Sequence, residues 1–265
     1  MGDVVEKGAL VTGASSGIGR AIALRLAGLG YYPILVGRDA AALAQVAEQC
    51  RAHHGTDSLI IVQDLSVSGA AEAIFRQIER PGLHVEVLVN NAGFALHGEF
   101  ATVALETSLE MLRVQLQILL ELTHRSLRSM MALGHGHVLN VASLYSFVPV
   151  PSQALYGACK AFILNFSDAI ASEVEPHGIT VTTLCPGITQ TAFRTRAGLA
   201  DKRTSVSMSA ESVANAGVAA MLAGKRLVIP GWWNRGFVFL VRHVPRGLLT
   251  GIIGVINRLR GVNRK

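Results

Sequence analysis

Leu10-Val11-Thr12-Gly13-Ala14-Ser15-Ser16-Gly17-Ile18-Gly19 carries an apolar strand end into a glycine turn, and then into an apolar, helix-favouring run that reaches Leu29. A strand, a glycine turn and a helix make a phosphate cradle. Gly13, Gly17 and Gly19 let the backbone turn tightly and approach a pyrophosphate, while the free N–H groups and positive dipole end of the new helix face the anion. Ser15, Ser16 and Ile18 between these glycines are also expected to meet the cofactor. The spacing G-x-x-x-G-x-G departs from the commoner dinucleotide fingerprint G-x-G-x-x-G.

Working outward, short apolar runs alternate with longer helical patterns, the signature of a parallel sheet covered by helices on both faces. Strands are expected at Pro33–Val36, Leu59–Val62, Val85–Val89, Val138–Val141, Thr180–Leu184 and Leu227–Ile229. Helices are expected at Ala40–His54, Ala70–Arg80, Glu106–Met131, Tyr156–Glu175 and Ala210–Ala223. With 265 residues, half of them hydrophobic and 16% charged, the chain suits one large α/β domain, 1–231, followed by an apolar, basic extension, 232–265.

The net charge of +6 gathers after Arg194, which argues against a nucleic-acid face. Cys50, Cys159 and Cys185 have no C-x-x-C spacing, so a reducing, cytoplasmic interior is expected rather than a disulfide or zinc framework. The amino terminus has no charged-then-apolar leader, and no apolar run reaches the roughly 20 residues of a membrane-spanning helix.

The second strand ends Val36-Gly37-Arg38. An NAD site usually carries an acid near here for the ribose 2′-hydroxyl. Arg38 offers instead a fork of donors suited to a phosphate, and Ser15 or Ser16 a hydroxyl, so NADP(H) is expected over NAD(H). The bland alternative is a surface arginine paired with Asp39. Asp64-Leu65 follows the third strand, where the Asp could meet an adenine amino group or cap the next helix. Asn90-Asn91-Ala92-Gly93 closes the fourth, and is expected both to line the cofactor and to tie strands together.

Tyr156-Gly157-Ala158-Cys159-Lys160 puts a phenol and an ammonium on one helix face. A free tyrosine is a poor acid–base catalyst near neutrality, and a neighbouring Lys⁺ favours the phenolate and draws the phenol pKa down. Ser143 ends the fifth strand at the carboxyl edge, where such sheets bind ligands. Its hydroxyl could hold a carbonyl oxygen beside the phenol.

In these motifs, taken with Pro186-Gly187-Ile188-Thr189, the chain resembles the short-chain dehydrogenase/reductase family from about Gly8 to Gly231. The resemblance implies a doubly wound, Rossmann-type, seven-stranded sheet, and hydride transfer between a nicotinamide and a ketone or secondary alcohol. It implies Tyr156 as general acid/base, Ser143 orienting the carbonyl oxygen, and Lys160 holding the ribose and lowering the tyrosine pKa. Thr189, after Pro186 and Gly187, would contact the carboxamide with help from Thr191. The family's relay asparagine on the long helix has Gln115 in its place. The relay is expected to survive in altered form, with the helix distortion usual at that point exposed to loss.

His135 and His137 flank a glycine without a third metal ligand and read as loop histidines. Cys159 and Cys185 read as core residues, with alkylation of Cys185 a route to blocking the cofactor. Thr189–Ser209, with Phe193, Leu199 and Met208 among Arg194, Arg196, Lys202 and Arg203, reads as a lid. The tail carries two short apolar helices with basic ends, which could pack on a second subunit, cap a greasy pocket or lie on a membrane surface. A fairly apolar substrate (steroid, 3-oxoacyl, sphingoid-like or xenobiotic carbonyl) and a homodimer or tetramer are expected. The rival reading is a nucleotide-binding regulatory or scaffold protein that retains the site without useful turnover.

Overall fold

Seven short apolar runs pair side by side, all parallel, in one sheet. The computed structural model describes residues 6–79, 81–191, 193 and 206–259. Its sheet strands are β1 (Glu6–Thr12), β2 (Tyr32–Gly37), β3 (Leu59–Val62), β4 (Leu83–Asn90), β5 (Gly136–Val141), β6 (Ile179–Leu184) and β9 (Leu227–Val228). The spatial order β3-β2-β1-β4-β5-β6-β9 reverses direction at β1, so β1 and β4 flank the switch point outside whose carboxyl ends such sheets bind ligands.

Period-two alternation divides the core into two layers. Ala9, Val11, Leu35, Val87, Val89 and Leu139 turn to one face, under α1 (Gly17–Ala27), α2 (Ala40–His54) and α7 (Ala210–Leu222). Leu10, Ile34, Val36, Leu88, Val138 and Val181 turn to the other, under α3 (Ala70–Ile78), α5 (Ile118–Leu133) and α6 (Ala154–Val174). This is the doubly wound arrangement. Each fully buried Leu or Ile contributes roughly 1.5–3 kcal/mol of burial, and both faces of the sheet are lined by such residues together with Val and Ala.

Helix bounds follow local chemistry. The Asp39 carboxylate accepts from Ala42 N at 3.0 Å to start α2, and Gly55, at φ 66°, stops it after His54. α3 ends at Ile78, short of the expected Arg80, which lies outside the described residues.

The expected single helix over Glu106–Met131 is instead three pieces: α4 (Leu105–Leu112), a π-helical turn over Arg113–Gln117, and α5. The distortion that a glutamine was expected to put at risk is retained. The reason lies in Gln115, whose buried side chain donates from Nε2 to Phe94 O at 2.7 Å, a bond that fastens the widened turn to the loop after β4.

Beyond β6, Thr189–Gln190 (β7) pairs with Met208–Ser209 (β8). The expected lid residues Arg194, Arg196, Leu199, Lys202 and Arg203 lie outside the described residues. The tail forms α8 (Trp232–Arg242) and α9 (Arg246–Leu259). Val241 and Leu249 are seated on Val148 and Val150, Val238 is buried, and α8 adjoins the short turn Leu144–Phe147 after β5. Among the described residues, no helix is long and apolar enough to cross a membrane.

Candidate active site

The carboxyl ends of β1, β2, β4 and β5 open into a cleft of about 850 Å³. At its nucleotide end Gly13 and Gly17 take φ values of 65° and 56°, which a side chain would strain. A Cβ on Gly19 would overlap Gly13 O and the Asn91 amide, so the turn closes only with glycine there. Ser16 caps α1 in extended geometry without a side-chain bond, and the first turn of α1 holds no acid. The N–H groups of that turn are thereby left to the cleft, which Ser16, Gly17 and Ile18 line. The cradle suits a diphosphate.

At the β2 end, Arg38 is exposed on the rim and Asp39 is committed to capping α2, so the Arg38–Asp39 pairing is not what forms. Ser15 Oγ lies 3.6 Å from where a Gly37 side chain would begin. Asp64 accepts from Ser66 N at 2.8 Å and Ser66 Oγ at 2.7 Å. Those two bonds, with a smaller push from Arg38, hold its carboxyl below the usual range. Asp64 is thus a turn cap that also lines the cleft beside Leu65.

Thr12, which the sequence did not single out, binds the two central strands. Its hydroxyl donates to Val89 O at 3.1 Å and accepts from Asn91 N and Ala92 N at 2.9 and 3.0 Å. Asn91 Nδ2 returns to Thr12 O at 2.9 Å, while its side chain also borders the cleft with Ala92 and Gly93. Asn90 does the tying: its Nδ2 donates to Asn140 Oδ1 at 2.8 Å and Thr123 Oγ1 at 3.0 Å, and Asn140 Nδ2 donates to Ser167 Oγ at 2.8 Å. This buried chain joins β4, β5, α5 and α6, and so sets α6 against the end of β5.

Ser143 and Tyr156 meet through that placement, the Ser143 hydroxyl hydrogen-bonding the phenol. Lys160 Nζ donates to Val141 O at 2.9 Å and stands 5.6 Å from the Tyr156 ring centre. Burial dominates both groups. It pushes the phenol well above its ordinary value, the Ser143 bond opposing, and pulls the lysine down to about 8. The phenol expected to be lowered beside Lys160 is therefore raised by burial in the protein alone. A low-dielectric site disfavours the charged form of each group, and Lys160 spends its charge on Val141 O.

Gln115 is 1% exposed, and its Oε1 is buried without a hydrogen-bond partner. It borders, with Lys160, Thr12 and Asn90, a cavity of about 10 Å³ behind the cleft. That is room for about one water. Lys160 borders both spaces, cleft in front and cavity behind.

Pro186, Gly187, Thr189 and Thr191 line the far end of the cleft. Thr189 Oγ1 donates to Gly187 O at 3.2 Å, and the Thr191 methyl lies 3.1 Å from a Cβ built on Gly17, closing the loop over the glycine turn. Around the phenol the wall is apolar, with Tyr145 and Phe193 ring centres 6.1 and 6.0 Å from that of Tyr156 and Phe94 and Ala95 beside them. Of these only Phe193 was anticipated. Tyr145, two residues past a strand-end serine, was open to the same reasoning. His137 is not a loop residue but part of β5, its Nδ1 2.7 Å from Thr180 Oγ1. Cys185 is fully buried, its thiol pushed up to about 12 by that burial, so the expected alkylation has no route.

This sheet, glycine turn and Ser–Tyr–Lys cluster define a nicotinamide-dependent oxidoreductase. A family model described as short chain dehydrogenase matches residues 7–202, and the chain belongs to that family. An uncharacterised oxidoreductase of Staphylococcus epidermidis is 30% identical over 221 residues, 83% of this chain and 93% of that protein. The ketoacyl reductase HetN of a Nostoc species is 31% identical over 222 residues, 83% of this chain and 77% of that one. A solved short-chain dehydrogenase from Sphingobium yanoikuyae in complex with NADPH is similar with a TM-score of 0.80 at 27% identity, covering 90% of this chain and 96% of that chain.

Proposed function

We propose that the chain is an NADP(H)-dependent oxidoreductase of apolar ketones and secondary alcohols. Tyr156 acts as general acid/base, with Ser143 as carbonyl-orienting donor and Lys160 and Gln115 behind them. The observation that carries this reading is the convergence of Ser143, Tyr156 and Lys160 where the cleft wall turns aromatic. When bound, the nicotinamide supplies or takes up the hydride.

The residues do the rest. A ketone oxygen between Ser143 Oγ and the phenol accepts two hydrogen bonds, and Tyr156 passes its proton to that oxygen as negative charge develops. A phenol whose pKa is raised by burial keeps its proton at neutral pH, which suits the reductive direction. Lys160, near half-protonated at about pH 8, can resupply it. A water shared by Lys160 Nζ and Gln115 Oε1 would give that proton a source and Gln115 a partner.

Gly13, Ser16, Gly17, Ile18 and Gly19 would hold the diphosphate, Ser15 and Arg38 the 2′-phosphate, and Asp64 and Leu65 the adenine. Asn91, Ala92, Gly93 and Lys160 would flank the ribose, with Pro186, Gly187, Thr189 and Thr191 at the carboxamide. Phe94, Tyr145 and Phe193 favour an apolar substrate. Three free, buried cysteines suit a reducing cytoplasm.

The test is NADPH oxidation against a panel of steroid, 3-oxoacyl thioester and aryl ketones, with Tyr156→Phe as control. Turnover that Tyr156→Phe lowers by about 10²- to 10⁴-fold is expected. Tight NADPH binding without oxidation across the panel would overturn it in favour of a regulatory binder.

A further inference from the structure

On each tail helix apolar residues cover an exposed face as well as the buried one, the exposed face lying opposite on α8 and alongside on α9. On α8, Val238 and Val241 turn inward, while Trp232, Phe239 and Leu240 share the opposite side, with Trp232 68% and Phe239 71% exposed. The rings of Trp232 and Trp233 stack on one another 3.7 Å apart. On α9, Leu249 is buried, and Leu248, Ile252 and Val255 form an exposed stripe at i, i+4 and i+7. A helix that serves only its own domain sets polar residues on its outer side. Large apolar groups collected in water mark an interaction surface.

Charge says what kind. Past Glu211 the sequence holds nine lysines and arginines and no aspartate or glutamate. Arg235 and Arg242 flank the apolar side of α8, Arg246 opens α9, and all three are exposed. A second copy meeting this surface through a two-fold axis would set the same arginines against each other with no acid between them. A layer of lipid phosphates takes both the cations and the aromatic rings.

We propose that α8 and α9 form a docking surface for an anionic phospholipid bilayer. The 11- and 14-residue helices lie in the headgroup boundary rather than across it. Trp232, Phe239, Leu240 and Ile252 enter the acyl edge, and the arginines take headgroup phosphates. The surface is anchored close to the cleft. Asn234 of α8 donates to Pro230 O at 2.6 Å and fills the space in front of Gly187, and the Arg242 guanidinium lies 5.2 Å from the Phe147 ring.

The tryptophan count makes the test direct, because Trp232 and Trp233 are the only two in the chain. The full chain is mixed with phosphatidylcholine vesicles with and without phosphatidylserine, and followed by co-sedimentation and tryptophan emission. Phosphatidylserine-dependent pelleting with a blue shift, weakened by salt, is expected. Phe239→Glu/Leu240→Glu, at exposed positions outside the buried core, should cut the partition by about tenfold or more. Arg235→Gln/Arg246→Gln should weaken the lipid-charge dependence. Absence of pelleting and shift, or pelleting that Phe239→Glu/Leu240→Glu leaves intact, would sink the proposal. So would a dimer that this variant dissolves without any vesicle binding. None of these readouts needs turnover.

Discussion

The floor of the cleft and the tail helices solve opposite problems. In the cleft, polar and charged groups are withdrawn from water, and nearly every one has a fixed partner: Lys160 on Val141 O, Asn90 on Asn140, Asn91 on Thr12. In the tail, large apolar groups are left exposed to water, Phe239 and Leu240 foremost. The first arrangement costs desolvation and is retained because chemistry needs geometry. The second costs apolar exposure, and its requirement is composition along one side of a helix, with no fixed distance.

That contrast predicts separable failures. Tyr156→Phe should lower kcat by about 10²- to 10⁴-fold, the usual worth of a positioned proton donor, with NADPH affinity and vesicle binding unchanged. Phe239→Glu/Leu240→Glu should do the reverse in detergent solution, sparing turnover. Near-normal kcat for Tyr156→Phe would remove the chemical half of the comparison.

The next effect in size comes from Lys160. Its pKa is lowered from 10.5 in an exposed chain to about 8, so the unfolded state binds the proton more tightly. Stability should therefore rise with pH through that window, by about 2 kcal/mol between about pH 8 and pH 10. Tyr156 acts oppositely, its raised pKa costing stability only above its ordinary value of 10.0. Denaturant unfolding of wild type against Lys160→Met isolates the lysine, since the other groups titrate alike in both. Parallel curves for the two would mean that the ammonium is far better solvated than its burial implies.

Third is Arg38, which works at the rim in partial solvent. Arg38→Asp should exchange a preference for NADPH for one for NADH, changing the ratio of the two kcat/KM values by about 10- to 100-fold. An unchanged ratio would remove the argument for NADP(H) that rests on Arg38.

Most of the cleft was legible because its residues are fixed by backbone conformation. Gly13, Gly17 and Gly19 are glycines for reasons of φ and close approach, and Asp39 and Gly55 punctuate α2 at the residues a cap requires. Tyr156 and Lys160 share a helix face by spacing alone. What the sequence hid depends on contacts across the fold. Thr12 looks like any β-branched strand residue until Asn91 and Val89 close on it. The widened turn at Gln115 depends on a carbonyl 21 residues away, and the Tyr156 pKa is set by burial that no local spacing encodes. The tail was legible as apolar and basic, but which side faces out needed Val148 and Val150 in position.

Gln115 gives the smallest and most discriminating effect, because it belongs to the fold and to the proton supply at once. Gln115→Leu removes the bond to Phe94 O and the unpartnered Oε1 together. The bond is worth about 1 kcal/mol, so a stability loss of that order is expected whatever the chemistry. If Oε1 also holds a water against Lys160, kcat should fall by a further factor of about ten, and the pH profile of kcat should shift with it. Gln115→Asn keeps the amide but withdraws it by one methylene, and should recover part of the rate without recovering the bond. A structural role alone moves stability and leaves the pH profile where it was. Equal profiles in wild type, Gln115→Leu and Gln115→Asn would therefore confine Gln115 to the turn it fastens, and leave Lys160 to draw its protons from the cleft.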